Sequence, residues 1–191
     1  MPAPLSIRSA TGADARLLAA LAARTFRDTY RGPDELDGID DYIAGHFTIV
    51  AIEALLADPA CTTLLAFHDG APAGYALLRA GPPPACVTGA LPIQLDRLYL
   101  DAARTGRGHG TTLLAAAVAL ARDLGAATLW LGVYQRNARA IAFYERRGFR
   151  RVGQRDFPFG GKVFVDPVYA AGLGEIRFPA DADRRVEDAL P

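Results

Sequence analysis

The sequence predicts a mixed α/β domain, and three observations carry that prediction. Apolar runs of strand length alternate with amphipathic stripes of helical spacing along most of the chain. A glycine-rich turn, Thr105-Gly106-Arg107-Gly108-His109-Gly110, joins one such strand to one such helix. The chain has 191 residues, of which 51% are hydrophobic, enough apolar material for one core.

Taken in order, Leu5 to Arg8 is a short strand. Thr11-Gly12-Ala13-Asp14 offers N-cap chemistry to a helix carrying Leu17, Leu18, Leu21 and Phe26, up to about Tyr30. After a polar segment, Arg31 to Asp41, a second helix is expected through Tyr42, Ile43, Phe47, Ile52, Leu55 and Leu56, ending near Asp58-Pro59. Cys61 to Phe67 and Gly74 to Leu78 read as strands joined by the hairpin signal His68-Asp69-Gly70. Gly81-Pro82-Pro83-Pro84 breaks regular structure. Ile93 to Leu100 is the next strand, and Leu113, Leu114, Ala117, Leu120, Ala121 and Leu124 form one helical stripe. Thr128 to Val133 is apolar without alternation, as a strand covered on both faces should be. A short helix spans about Asn137 to Arg147 and stops at Gly148. Phe149 to Gln154 and Val163 to Tyr169 are the expected closing strands, with Phe157-Pro158-Phe159-Gly160-Gly161 between them. The predicted order is β-α-α-β-β-β-α-β-α-β-β. It forms one domain over residues 1–175, followed by a charged, mobile tail over 176–191.

Composition narrows the function classes. Net charge is zero, which argues against broad electrostatic binding to nucleic acid or an anionic membrane. Cys61 and Cys86 form neither a CxxC nor a Cys/His cluster, so no metal site is expected. A bridge between the two stays open, and reduced thiols in a cytoplasmic protein are the expectation. Met1-Pro2-Ala3-Pro4 does not begin a signal peptide, and no run of about 18 apolar residues suggests a membrane span.

The glycine turn is the first carrier of chemistry. Glycines at 106, 108 and 110 permit positive φ and close backbone approach, and the following helix puts its positive end at the loop. Together these suit a pyrophosphate, with Arg104 and Arg107 able to add charge-assisted contacts. The turn is not a Walker A loop, because no Gly-Lys-Ser/Thr follows. It also misses the Rossmann fingerprint, since its last glycine is misplaced and no acidic residue ends the next strand. An ordinary tight strand–helix connection is the competing reading of the loop alone.

A second block changes that balance. Asn137, Ala140, Phe143, Tyr144, Gly148 and Phe149 follow the pattern Asn-x-x-Ala-x-x-Phe-Tyr-x-x-x-Gly-Phe without a gap. With the turn one helix and one strand earlier, the chain resembles the GCN5-related N-acetyltransferase (GNAT) superfamily. That family's coenzyme loop, Gln/Arg-x-x-Gly-x-Gly/Ala, falls on Thr105 to Gly110, with Thr105 the one departure. Thr25 to Tyr30, Leu129 to Tyr134 and Phe157 to Gly160 further resemble bacterial spermidine/spermine N-acetyltransferases of the PaiA type, over about Thr25 to Asp166 with gaps.

The resemblance implies a GNAT fold: a central mixed twisted sheet of about six to seven strands with about four helices, splayed between strands 4 and 5. It implies acetyl-CoA as cosubstrate, no metal, and direct attack by a primary amine, in particular a small polycationic one. Its alternatives are a protein N-terminus or another small amine as acceptor, or a non-catalytic acyl-CoA sensor. The implied coenzyme contacts are Leu98, Tyr99 and Leu100 on the strand, then Arg104, Thr105, Gly106, Arg107, Gly108, His109, Gly110 and Thr111 in and after the turn. Asn137, Ala140, Phe143 and Tyr144 complete them. Tyr144 is the implied acid, although periodicity alone reads it as a core tyrosine. Asp96 is the candidate base, weighed against a strand-end aspartate paired with Arg97. Asp28, Tyr30, Asp34 and Glu35 are the candidate acceptor residues, within an acidic run that also reads as a solvated loop. His46 and His68 read as surface or turn residues, and His109 as a helix-start residue. Dimers are common in the family, and no exposed patch legible in the sequence argues for one here.

Overall fold

The computed structural model describes residues 5–30, 37–105 and 108–179. Among the described residues there are seven strands: β1 (Leu5–Ser9), β2 (Cys61–His68), β3 (Ala71–Arg79), β4 (Pro92–Leu100), β5 (Thr128–Gly132), β6 (Arg150–Phe159) and β7 (Lys162–Gly172). Five α-helices accompany them: α1 (Ala15–Tyr30), α2 (Ile39–His46), α3 (Ile49–Ala57), α4 (His109–Asp123) and α5 (Ala138–Arg146). The strands form one sheet in the order β1-β2-β3-β4-β5-β7-β6, antiparallel throughout except for the parallel pair β4–β5.

Alternation along the strands divides the core between two faces. Leu64, Ala66, Ala76 and Leu78 pack with Leu113, Leu114 and Ala117 of α4. Their neighbours Leu65 and Tyr75 pack the other way, with Leu18, Leu21 and Phe26 of α1 and Ile52 of α3. Helices therefore cover both faces, which is why the central strands read as continuous apolar runs. The entry to α1 is held by a reciprocal cap. The Thr11 N–H donates to Asp14 Oδ2 at 2.8 Å, and Arg8 clamps the same carboxylate at 2.7 Å. Those bonds, that from Arg8 foremost, hold the Asp14 carboxyl well below the usual range.

Two sequence expectations need correction. The single second helix is two. It breaks at Phe47-Thr48, where Thr48 is extended and its hydroxyl accepts from the Ala51 N–H at 3.1 Å. A threonine cap starts a new helix here, and the turn lets Phe47 bury against Phe26 and Tyr42. The second correction concerns β6, which runs through Phe157-Pro158-Phe159 rather than ending near Gln154. Only Gly160-Gly161 forms the turn, both at positive φ, as a two-residue hairpin requires. Pro158 is tolerated because β6 is an edge strand.

Past the last strand, Ile176 is buried and Phe178 packs on the core, while the Arg177 N–H donates to the Arg147 carbonyl at 2.9 Å.

Candidate active site

The site exists because β4 and β5 part. They pair only over Pro92–Gln94 and Thr128–Trp130, although β4 continues to Leu100. A cavity of about 630 Å3 opens where they diverge, between the far half of β4, the end of β5, α5 and the start of α4. That volume is ordinary for a small-molecule site.

A bulge shapes the β4 side. The ladder to β3 passes from Leu77 opposite Arg97 to Leu78 opposite Leu95, so Asp96 is the extra residue. Bulges re-aim the side chains around them, and Asp96 lines the cavity. It accepts from Gln94 Nε2 at 3.1 Å, and Arg79 and Arg97 stand 3.6 and 3.9 Å away. Leu98, Tyr99 and Leu100 continue the same wall.

At one end stands the α4 N-terminus. Gly108 caps it at φ +84°, and a 15-residue helix follows. Gly110 and Thr111 line the cavity beside it. A Cβ on Gly110 would lie 3.4 Å from Leu100 and 3.7 Å from Phe143, so the helix start sits close against both β4 and α5. Thr105 also lines this end, its hydroxyl donating to the Ala102 carbonyl at 2.8 Å. Gly106 and Arg107 lie outside the described residues. Arg104 and His109 do not line the cavity. The Arg104 guanidinium contacts His68 Nδ1, and the His109 ring lies 5.0 Å from that of His68. His68 is buried at 4% exposure, contrary to its reading as a surface or turn residue; it ends β2, beneath the first turn of α4. His46 fits its surface reading, stacked on Tyr42 at the end of α2.

The α5 wall carries the second sequence block. Asn137 is the helix N-cap, its side chain accepting from the Ala140 N–H at 3.0 Å, and it faces the cavity with Ala140, Phe143 and Tyr144. Tyr144 is buried with its ring edge-on to Phe143 and Phe149. Burial pushes its pKa well above the ordinary tyrosine value, so it is a protonated acid at neutral pH. Three arginines on this wall escaped the sequence reading: Arg139, Arg146 and Arg147. Arg147 lies 4.8 Å over the Phe143 ring and donates to the Thr111 hydroxyl. The seven-residue spacing of Arg139 and Arg146, one helix face, was the available signal.

The opposite end is acidic and aromatic. Asp28, Thr29 and Tyr30, the last turn of α1, reach the cavity with Tyr134. The Tyr30 and Tyr99 hydroxyls hydrogen-bond, and burial foremost raises the Tyr30 pKa to about 12. Asp34 and Glu35 lie outside the described residues. The cavity thus has two unlike ends: a helix N-terminus with Arg139, Arg146 and Arg147 at one, and Asp28 with the tyrosines at the other, while the Asp96 carboxylate lies on β4 beside Arg97. The first end suits an anion, the second a cation. Both cysteines are free, and among the described residues no group of three or more His, Cys, Asp or Glu could hold a metal. No helix among them is long and apolar enough to cross a membrane.

The chain resembles known proteins in sequence and in fold. The profile of the acetyltransferase (GNAT) family matches residues 21–149. An uncharacterised N-acetyltransferase of Mycobacterium tuberculosis is 35% identical over 160 residues, covering 84% of this chain and 98% of its own. The spermine/spermidine N(1)-acetyltransferase of Bacillus subtilis is 35% identical over 74 residues, 38% of this chain and 48% of its own. Among solved structures, the PaiA N-acetyltransferase of Thermoplasma acidophilum in complex with coenzyme A superposes with a TM-score of 0.69 at 22% identity, covering 88% of this chain and 98% of its own. Profile, relatives and fold agree with the splayed sheet and the two sequence blocks: the chain belongs to the acetyltransferase (GNAT) family and is an N-acetyltransferase.

Proposed function

We propose that this enzyme moves the acetyl group of acetyl-CoA to a primary amine of a small polycationic acceptor, by direct attack. The observation that carries the reading is the cavity with two unlike ends in the β4–β5 opening. Its α4 end offers the coenzyme pyrophosphate a helix N-terminus, with Arg139, Arg146 and Arg147 nearby. Its Asp28 end offers a cationic amine favourable charge.

Acetyl-CoA supplies an activated thioester carbonyl. The residues of this chain do the rest. Asp96, directly or through water, takes the proton that an attacking amine must lose. Backbone N–H groups near Leu98 to Leu100 polarise the carbonyl. Tyr144 gives its proton to the departing sulfur as the C–S bond breaks. Holding both substrates in one cleft contributes much of the rate.

The test is release of free thiol from acetyl-CoA across a panel of amines: spermidine, spermine, diamines, amino acids, an aminoglycoside and a peptide with a free N-terminus. Highest kcat/KM on polyamines supports the reading. Turnover confined to the peptide or amino acids would replace the acceptor assignment, and tight acetyl-CoA binding with no turnover on any amine would replace catalysis with sensing.

A further inference from the structure

Beside the main cavity, and sharing Tyr30 and Tyr134 with its wall, lies a second, much smaller one. Its volume is about 10 Å3, room for one water-sized group. Five rings, Tyr30, Tyr134, Phe157, Phe159 and Phe164, and one carboxylate, Asp166, line it. The rings come from α1, from the segment after β5 and from both strands of the β6–β7 hairpin. Ring centroids stand 5.7 Å apart for Tyr30–Tyr134, 5.9 Å for Tyr134–Phe164 and 6.3 Å for both Tyr30–Phe159 and Phe159–Phe164. They form a box around the cavity.

Asp166 is the unusual member. It is 5% exposed, and its Oδ1 is buried with no hydrogen-bond partner among the described residues. The Gln135 N–H bonds to the carboxylate. Arg155 pairs with Asp166 across the β6–β7 ladder, but its guanidinium lies 5.8 Å over the Trp130 ring and acts on the carboxylate only through its field. A carboxylate oxygen buried without a donor is costly. Ring faces, for their part, attract cations. A group that answers both is compact, positively charged and rich in N–H donors, which describes an alkylammonium head.

We propose that Asp166 and the five rings form a subsite for the distal ammonium of a diamine or polyamine acceptor, whose reacting amine lies in the main cavity. The inference rests on the acetyl-transfer reading of that cavity. It adds a selection rule: the acceptor carries a second cation at a fixed distance from the amine that reacts.

The experiment compares 1,3-diaminopropane, 1,4-diaminobutane and 1,5-diaminopentane, each against the monoamine of equal chain length, by thiol release with saturating acetyl-CoA. Wild-type enzyme should prefer the best-fitting diamine by roughly 10-fold or more in kcat/KM, the scale of a charge-assisted contact plus a cation–π contact. In D166N that preference should fall to within a factor of about two. Phe164→Leu keeps the carboxylate and removes one ring; it should lower the preference several-fold, and it decides the matter if D166N does not fold. Equal kcat/KM for diamines and monoamines in wild type would overturn the subsite while leaving acetyl transfer standing, as would a preference that survives both variants. If no amine turned over, the transfer reading would fail. Calorimetry of the same amines with CoA-saturated protein would then judge the subsite: diamine binding lost in D166N supports it, and no diamine binding to wild type overturns it.

Discussion

Replacing Tyr144 with phenylalanine removes one oxygen and leaves the rest of the side chain in place. The ring is 8% exposed, with edge-on contacts to Phe143 at 5.2 Å and Phe149 at 5.5 Å, and phenylalanine keeps both. What raises the hydroxyl's pKa is burial, with a smaller contribution from Tyr30, and no hydrogen bond from the described residues acts on it. Losing it should therefore not lower stability. The proton it gives to the leaving sulfur is another matter. General-acid catalysis contributes ~10²–10⁴ in rate, which corresponds to about 3–5 kcal/mol of barrier. Because the proton moves only as the C–S bond breaks, the loss should appear in kcat, with KM for acetyl-CoA within about twofold. The assay is thiol release at saturating amine beside a thermal melt of both proteins. Wild-type kcat should also show no fall below pH 10 from ionisation of this tyrosine, since its pKa is raised above the ordinary value. A variant with unchanged melting temperature and kcat within twofold of wild type would refute the acid role.

Arg147→Ala removes the guanidinium that lies over Phe143 and bonds Thr111 at the α4 end of the cavity; KM for acetyl-CoA should rise roughly 10-fold. The rise should shrink as salt is added to the assay. Asp14→Asn breaks the cap of α1 and the Arg8 clamp, and should cost about 1 kcal/mol at pH 7, read as a lower melting temperature. The native pKa of Asp14 is depressed, so this stabilisation is complete above the unfolded carboxylate pKa of ~4 and is lost as pH falls through the native value. The gap between wild type and variant should therefore close on acidification below pH ~4; a constant gap would show that the charge of Asp14 is not what stabilises the helix.

Much of the α4 end of the cavity could be read from the sequence because its parts are local. Gly108, Gly110 and Thr111 lie within four residues, and the spacing of Asn137, Ala140, Phe143 and Tyr144 places them on one short helix. Local punctuation misled twice. Thr48 is a helix cap that the apolar periodicity of Phe47 and Ile52 concealed. Pro158 and the glycine pair made a strand end look like a loop, because the sequence does not show that β6 lies at the sheet edge. The aromatic box was out of reach for a different reason. Tyr30, Tyr134 and Phe164 lie far apart in the chain and meet only when α1 closes over the β6–β7 hairpin. Asp166 falls inside the strand expected over Val163 to Tyr169, and nothing in the sequence marks it as buried.

The three-residue β4–β5 ladder leaves this sheet with an edge in its own interior. Beyond Gln94, β4 has β3 on one side and the cleft on the other. Sheet edges at a protein surface invite pairing with any passing chain, and proteins commonly blunt them. Here the edge is recessed between two walls, so only a narrow, extended molecule bearing amide groups can pair with it. Such a ligand would complete the sheet as an added strand, its backbone-like bonds giving affinity without regard to side-chain chemistry. It would also tie together two halves otherwise joined by three residue pairs. The amide hydrogens between Leu95 and Leu100 that face the cleft should then exchange with solvent more slowly in the loaded protein than in the empty one.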